Sequence, residues 1–144
     1  MYRNVAMGSI TDQLQRLFKH AKRTPGQQGE RLAERHLRSQ GYKLIARNLR
    51  GRLGEIDLLM LAPDRRTVVF VEVKTAEAGR RSSVPPEHRV GRRKQHKLAT
   101  LAATLIARHR LTGRPIRFDV VGVTLHADQD ADIRHYPAAF ESPW

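Results

Sequence analysis

Hydrophobic and polar residues alternate with two periods along the chain, and the clearest segment has no alternation at all. Residues 67–75 read TVVFVEVKT, and five of the seven from Thr67 to Val73 are apolar. A β-branched, aromatic run with no preferred face predicts a central strand covered on both sides. Upstream, Ile10, Leu14, Leu17, Phe18 and Ala21 recur at helical spacing behind Ser9, a capping residue with Asp12 three positions on. Thr24–Gly29 breaks that pattern, and a second helix is expected from Gln27 to Gln40, stopping at Gly41. Lys43–Arg50 and Glu55–Leu61 predict two strands joined around Gly51 and Gly54, and the turn Pro63–Arg66 leads into the central strand.

Ala76–Val90 reads as a polar loop containing Pro85-Pro86. Gly91–Leu111 is the strongest helical segment, with Leu98, Leu101, Ala102, Leu105 and Ile106 on one stripe. Gly113 and Pro115 end it, Ile116–Leu125 predicts a further strand, and Ile133–Tyr136 a short last one. The acidic stretch Asp128–Asp132 reads as a solvated loop. Strands joined by short turns pair antiparallel, whereas the long helix permits a parallel crossover. The pattern therefore predicts an α/β fold with a mixed central β-sheet flanked by helices. Residues 1–24 are expected to form an N-terminal extension with a helix, and 25–144 one α/β domain long enough for its own core.

Charge narrows the function. The formal net charge is +13, from 27 Lys+Arg against 14 Asp+Glu, and the pI is near 11.3. A surplus of that size points to a polyanionic partner, of which nucleic acid is the commonest. The absence of cysteine excludes disulfides and thiolate metal sites. No apolar run suits a signal peptide or a membrane span, so a cytoplasmic protein without a membrane partner is expected.

The chemistry concentrates at the end of the central strand. Glu72 and Lys74 are two residues apart and leave the same face, and Asp57 lies on the preceding strand at hairpin distance. Two carboxylates and a backbone carbonyl such as that of Val73 suit a hard cation, Mg2+ or Mn2+. A neighbouring ammonium can orient the attacking water and neutralise a phosphate. An ordinary charge pair at a strand end explains Glu72 and Lys74 equally well. Glu55 shares the face of Asp57 and either supports it or is solvated. Glu30 continues the inward stripe of Ala33 and Leu37, so it either joins the acid cluster or favours its helix terminus electrostatically. On the long helix Lys94 and Gln95 extend the apolar stripe toward the cleft. Arg92, Arg93 and Lys97, with His96, Arg80, Arg81 and Arg89, make a basic rim suited to phosphates. Asp119 is either a structural acid or a distant member of the site.

Gly29-Glu-Arg-Leu-Ala-Glu34, Gly41-Tyr42, Arg47-Asn48, Gly54-Glu-Ile-Asp57, Phe70-Val-Glu-Val-Lys74, Arg117-Phe-Asp-Val120 and Ala138-Ala-Phe140 together resemble the YraN family of bacterial proteins, in order over residues 25 to 140. That family is similar to the PD-(D/E)xK nucleases, with their restriction-endonuclease-like fold and Holliday-junction resolvases. The resemblance implies that Asp57, Glu72 and Lys74 hold the acid, acid and lysine positions and that Glu30 is the helical acid. Ile56 stands where proline often precedes the first acid. The resemblance implies a nuclease fold without naming a substrate. With the charge it leads to the expectation of metal-dependent hydrolysis of DNA, favoured over RNA, at branched or distorted structures, and a homodimer is compatible with it. Two other readings stay open: a nucleic-acid-binding module without catalysis, and a basic protein associated with ribosomes or RNA.

Overall fold

A computed structural model describes residues 26–52, 54–79, 90–108, 111, 113–128 and 130–141. Its elements are α1 (Gln27–Ser39), β1 (Lys43–Gly51), β2 (Gly54–Leu61), β3 (Val68–Glu77), α2 (Arg92–Arg108), β4 (Ile116–Leu125) and β5 (Ala131–Phe140). The expected helix around residues 9–21 lies outside the described residues, as does most of the expected loop.

The five strands form one sheet in the order β1-β2-β3-β4-β5. Neighbours pair antiparallel except β3 and β4, which α2 connects as a parallel crossover. The expected mixed sheet between helices is therefore what the chain forms. α1 contributes Ala33 and Leu37 to a core with Leu58, Met60, Val69, Val71 and Val121. α2 contributes Leu98, Leu101 and Leu105 to another with Ile56, Leu59, Phe70 and Phe118. The two helices cover opposite faces, which is why β2 and β3 are apolar without alternation.

Local signals fix the ends of these elements. Gly41 adopts φ +92°, and the Gly41 and Tyr42 N–H groups donate to the carbonyls of Arg38 and Leu37, closing α1 in a Schellman motif. Between β2 and β3 the Asp64 carboxylate accepts the Arg66 and Thr67 N–H groups and the Thr67 hydroxyl. Those bonds hold its pKa down at about 2 and set the register that pairs Leu61 with Val68.

The last strand differs from expectation. β5 spans ten residues rather than four, and Asp132, read as loop, sits in it and bonds His126. Pro137 and the lack of any fully buried position in this edge strand mask its signal. β3 also runs two residues past Thr75, paired through Glu77 with Leu125.

Asp119 is a structural acid. It is fully buried, and its carboxylate accepts two bonds from Arg117, both at 2.7 Å, one from the Ala138 N–H, and a contact from His135. Arg117 also donates to the Tyr42 hydroxyl, tying β4 to the chain just after α1. Burial acts to raise the Asp119 pKa, but Arg117, His135 and the Ala138 N–H outweigh it and hold the carboxyl below its ordinary value. Removing one partner of a buried pair strands the other, so Asp119→Ala is expected to destabilise the fold by about 3–5 kcal/mol in denaturant unfolding. A loss under about 1 kcal/mol would show that the network is not a structural tie.

Candidate active site

The β2–β3 ladder runs from Leu61↔Val68 to Leu58↔Val71 and ends there, one step before Asp57 and Glu72. Instead of a backbone partner, the Val73 N–H donates to Asp57 Oδ2 at 2.8 Å. The two strands fork at this point, and the aspartate side chain fills the gap with an acceptor.

The cause lies partly in β1. Arg47 pairs with Leu58 and Leu49 with Ile56, so Asn48 falls opposite Asp57, and Asn48 has φ +50°. Asparagine tolerates that left-handed conformation better than most residues. Across this point the strand turns over: Leu58 packs on the α1 side but Ile56, two residues away, on the α2 side. In a regular strand those two would share a face.

Groups from both faces reach the fork. Asp57 is 7% exposed and Glu72 is 3%. Glu72 Oε1 receives Lys94 Nζ at 2.6 Å and Lys74 Nζ at 3.0 Å, whereas its Oε2 is buried with no partner. Glu30, on α1, likewise buries an Oε2 without a partner. Its position follows from Gly29: a Cβ there would overlap the Thr75 side chain, so only glycine lets the start of α1 sit this close to β3.

The electrostatics follow the geometry. Burial pushes the Asp57 pKa up to about 8, Glu72 and Glu30 add to the rise, and the Val73 N–H and Lys94 oppose it. Burial also raises Glu30; the Asn48 amide pulls it back, while Glu55 and Glu72 push it further. Burial would lower Lys94, but the Glu72 hydrogen bond and the Glu72, Asp57 and Glu55 charges leave it raised, a firm ammonium.

The structure thus brings Asp57, Glu72 and Lys74 together, as their spacing predicts, and places Glu30 within electrostatic reach. It does not gather three acids into one cluster able to hold a metal, among the described residues. Gln95 is half-buried, and its amide donates to the Val90 carbonyl at the start of α2. Arg92, Arg93 and Lys97 are exposed, and Arg93 and Lys97 line a cleft of 760 Å3 with Arg50, Glu55 and Lys94. Arg50 pairs with Glu55 at 3.1 Å. Arg80, Arg81 and Arg89 lie outside the described residues. Asp119 faces its own network and does not join the fork. Two contributors escaped sequence reasoning in these roles: Asn48, whose one signal is an asparagine inside a strand pattern, and Lys94, whose inward position was legible but not its bond to Glu72.

Fold and site define an α/β protein with a buried acid–lysine centre joined through Lys94 to a basic cleft. The pattern of the uncharacterised protein family UPF0102 matches residues 29–123, and the chain belongs to that family, also called YraN. A UPF0102 protein of Pelobacter propionicus is 39% identical over 119 residues, covering 83% of this chain and 84% of the relative. One from Symbiobacterium thermophilum is 48% identical over 101 residues, covering 70% and 82%. Among solved structures, SfsA of Pyrococcus furiosus in complex with Ca2+ is similar at 16% identity and a TM-score of 0.31, covering 81% of this chain and 63% of that one. A likeness at that score carries no argument.

The raised Asp57 pKa has a consequence for stability. Between the ordinary value of 3.8 and about 8 the folded chain keeps a proton that the unfolded chain has released. Stability from this group therefore falls as pH rises through that window. In chelator, wild type should lose more denaturant stability between pH 5 and 8 than Asp57→Asn does. Parallel profiles for the two proteins would contradict the raised pKa.

Proposed function

We propose that the protein is a metal-dependent endonuclease that hydrolyses phosphodiester bonds in DNA. The observation that carries this reading is the arrangement around Glu72. One oxygen of a buried carboxylate holds two ammonium groups, the other has no partner, and a second buried acid stands beside it in a gap between strands. A purely structural acid would be satisfied, as Asp119 is. The residues fit a hard divalent cation: Glu72 Oε2 is unclaimed, and the Val73 bond uses Asp57 Oδ2 and leaves Oδ1. Asp57 and Glu72 would hold Mg2+ or Mn2+, with Glu30 assisting; when bound, such an ion neutralises phosphate charge and acidifies a coordinated water.

The chain's own groups account for the remainder. In hydrolysis the water oxygen bonds to phosphorus, one P–O ester bond breaks, and the departing oxygen takes a proton. Lys74, in the site beside Glu72, orients the attacking water and balances charge on the phosphate. Lys94 lines the basic cleft and touches the same carboxylate, so it links the phosphate path to the acids. Arg93 and Lys97 contact the flanking backbone, without reading bases.

A second reading, a nucleic-acid-binding module without catalysis, is favoured by the same Lys94–Glu72 bond. Two ammonium groups already compensate that carboxylate, and three acids do not converge. A panel of labelled single-stranded, duplex, flap and four-way DNA substrates separates the two. The expected result is cleavage that requires Mg2+ or Mn2+ and falls at least about 100-fold in Lys74→Ala, Asp57→Ala and Glu72→Ala, in line with loss of charge stabilisation and acid–base assistance. Tight binding of the panel with no cleavage by excess folded protein would favour the module instead.

A further inference from the structure

The molecule has a second basic cleft, on the other side of the acid centre. It measures 690 Å3 and lies between α1 and β1, lined by Glu30, Arg31, Arg35, Arg38, Arg47 and Asn48 among others. Arg31, Arg35 and Arg38 are spaced four and three residues apart, so they form one exposed stripe on α1. Arg38 and Arg47 are fixed by Glu34: Arg47 grips its carboxylate with two bonds of 3.1 Å, and Arg38 donates at 3.2 Å. Arg31 and Arg35 have no ion-pair partner among the described residues. Like charges at this helical spacing repel, so Arg31 and Arg35, unlike Arg38, carry a small penalty with no ion pair among the described residues to offset it.

The placement of the two clefts gives the stripe a use. Asn48 lines this cleft and Arg50 the one beside α2. They are two residues apart on an edge strand, roughly 7 Å. Glu30 lines this cleft too, and its charge is felt by Asp57. The α1 cleft through Glu30 and the α2 cleft through Lys94, which bonds Glu72, therefore flank the buried acids from opposite sides.

We infer that the α1 cleft, through Arg31, Arg35, Arg38 and Arg47, is a second phosphate-docking surface that holds the DNA backbone beyond the reacting phosphate, on the side opposite α2. This rests on the nuclease reading and deepens it. A chain held on both sides of the acid centre is cut internally, and an end-trimming enzyme has no need of the second cleft. Glu34 acts as a positioning residue that presents the Arg47 guanidinium as a fixed fork.

The test is binding of a fluorescein-labelled DNA duplex to the full-length protein in chelator, over a range of salt, by anisotropy. Arg31→Ala with Arg35→Ala, both exposed, should melt like wild type yet lower the slope of log affinity against log salt by about 1.8, or roughly 0.9 for each lost duplex phosphate contact. Arg108→Ala with Arg134→Ala removes the same charge outside both clefts and should leave the slope unchanged. An unchanged slope in the α1 variant, an equal loss in the control, or no binding by wild type overturns the surface. Metal-dependent cleavage by wild type alongside an unchanged α1 slope sinks the docking surface and leaves the nuclease. The predicted slope loss without cleavage of any substrate sinks the nuclease and leaves the surface.

Discussion

Everything at the centre of this molecule depends on how three acids are kept from unfolding it. Asp57 and Glu72 meet where β2 and β3 part, Glu30 lies within electrostatic reach of Asp57, and Glu30 and Glu72 each have a buried oxygen with no hydrogen-bond donor. Burying an isolated charge is expensive, and neighbouring like charges make it worse. The fold answers in two ways. It brings Lys74 and Lys94 onto one oxygen of Glu72, and burial beside Glu72 raises the Asp57 pKa well above the ordinary carboxylate range. Neither answer satisfies Glu72 Oε2 or Glu30 Oε2, which stay buried without a hydrogen-bond donor.

The other acids of the chain show what satisfaction looks like. Asp119 has Arg117, His135 and the Ala138 N–H, Glu34 has Arg38 and Arg47, and Asp64 has the turn it closes. These networks hold strands and helices in register, and α1 is anchored by two such ties near the chain entering β1. That anchoring, with the close contact of Gly29 on Thr75, delivers Glu30 to the fork. The structural acids and the unsatisfied ones are therefore mechanically linked.

Much of this was legible in the sequence, for identifiable reasons. The unbroken run Val68–Val71 announced a doubly covered strand, and Gly41 marked the end of α1, because burial and left-handed backbone leave local traces. The proximity of Asp57, Glu72 and Lys74 was legible from spacing once two strands were paired, although the same spacing suits an ordinary charge pair. The fork was not, because it arises from Asn48 at positive φ and a strand that turns over, and neither alters the hydrophobic pattern. The length of β5 was hidden by Pro137 and by exposure on both sides. Lys94 was visible as an inward cation on α2, but its bond to Glu72 depends on how closely α2 packs, which no local pattern encodes.

If, as proposed, Asp57 and Glu72 hold a divalent cation, the raised Asp57 carboxyl must give up its proton when the ion binds. Calorimetric titration of Mn2+ into the protein near neutral pH, in two buffers of different ionisation enthalpy, tests it directly. Ligand carboxylates must be ionised to bind metal, so about one proton should be released per ion, and both binding and release should be lost in Asp57→Asn. Absence of binding heat, or binding that releases no proton and survives Asp57→Asn, would rule out a cation held at the fork.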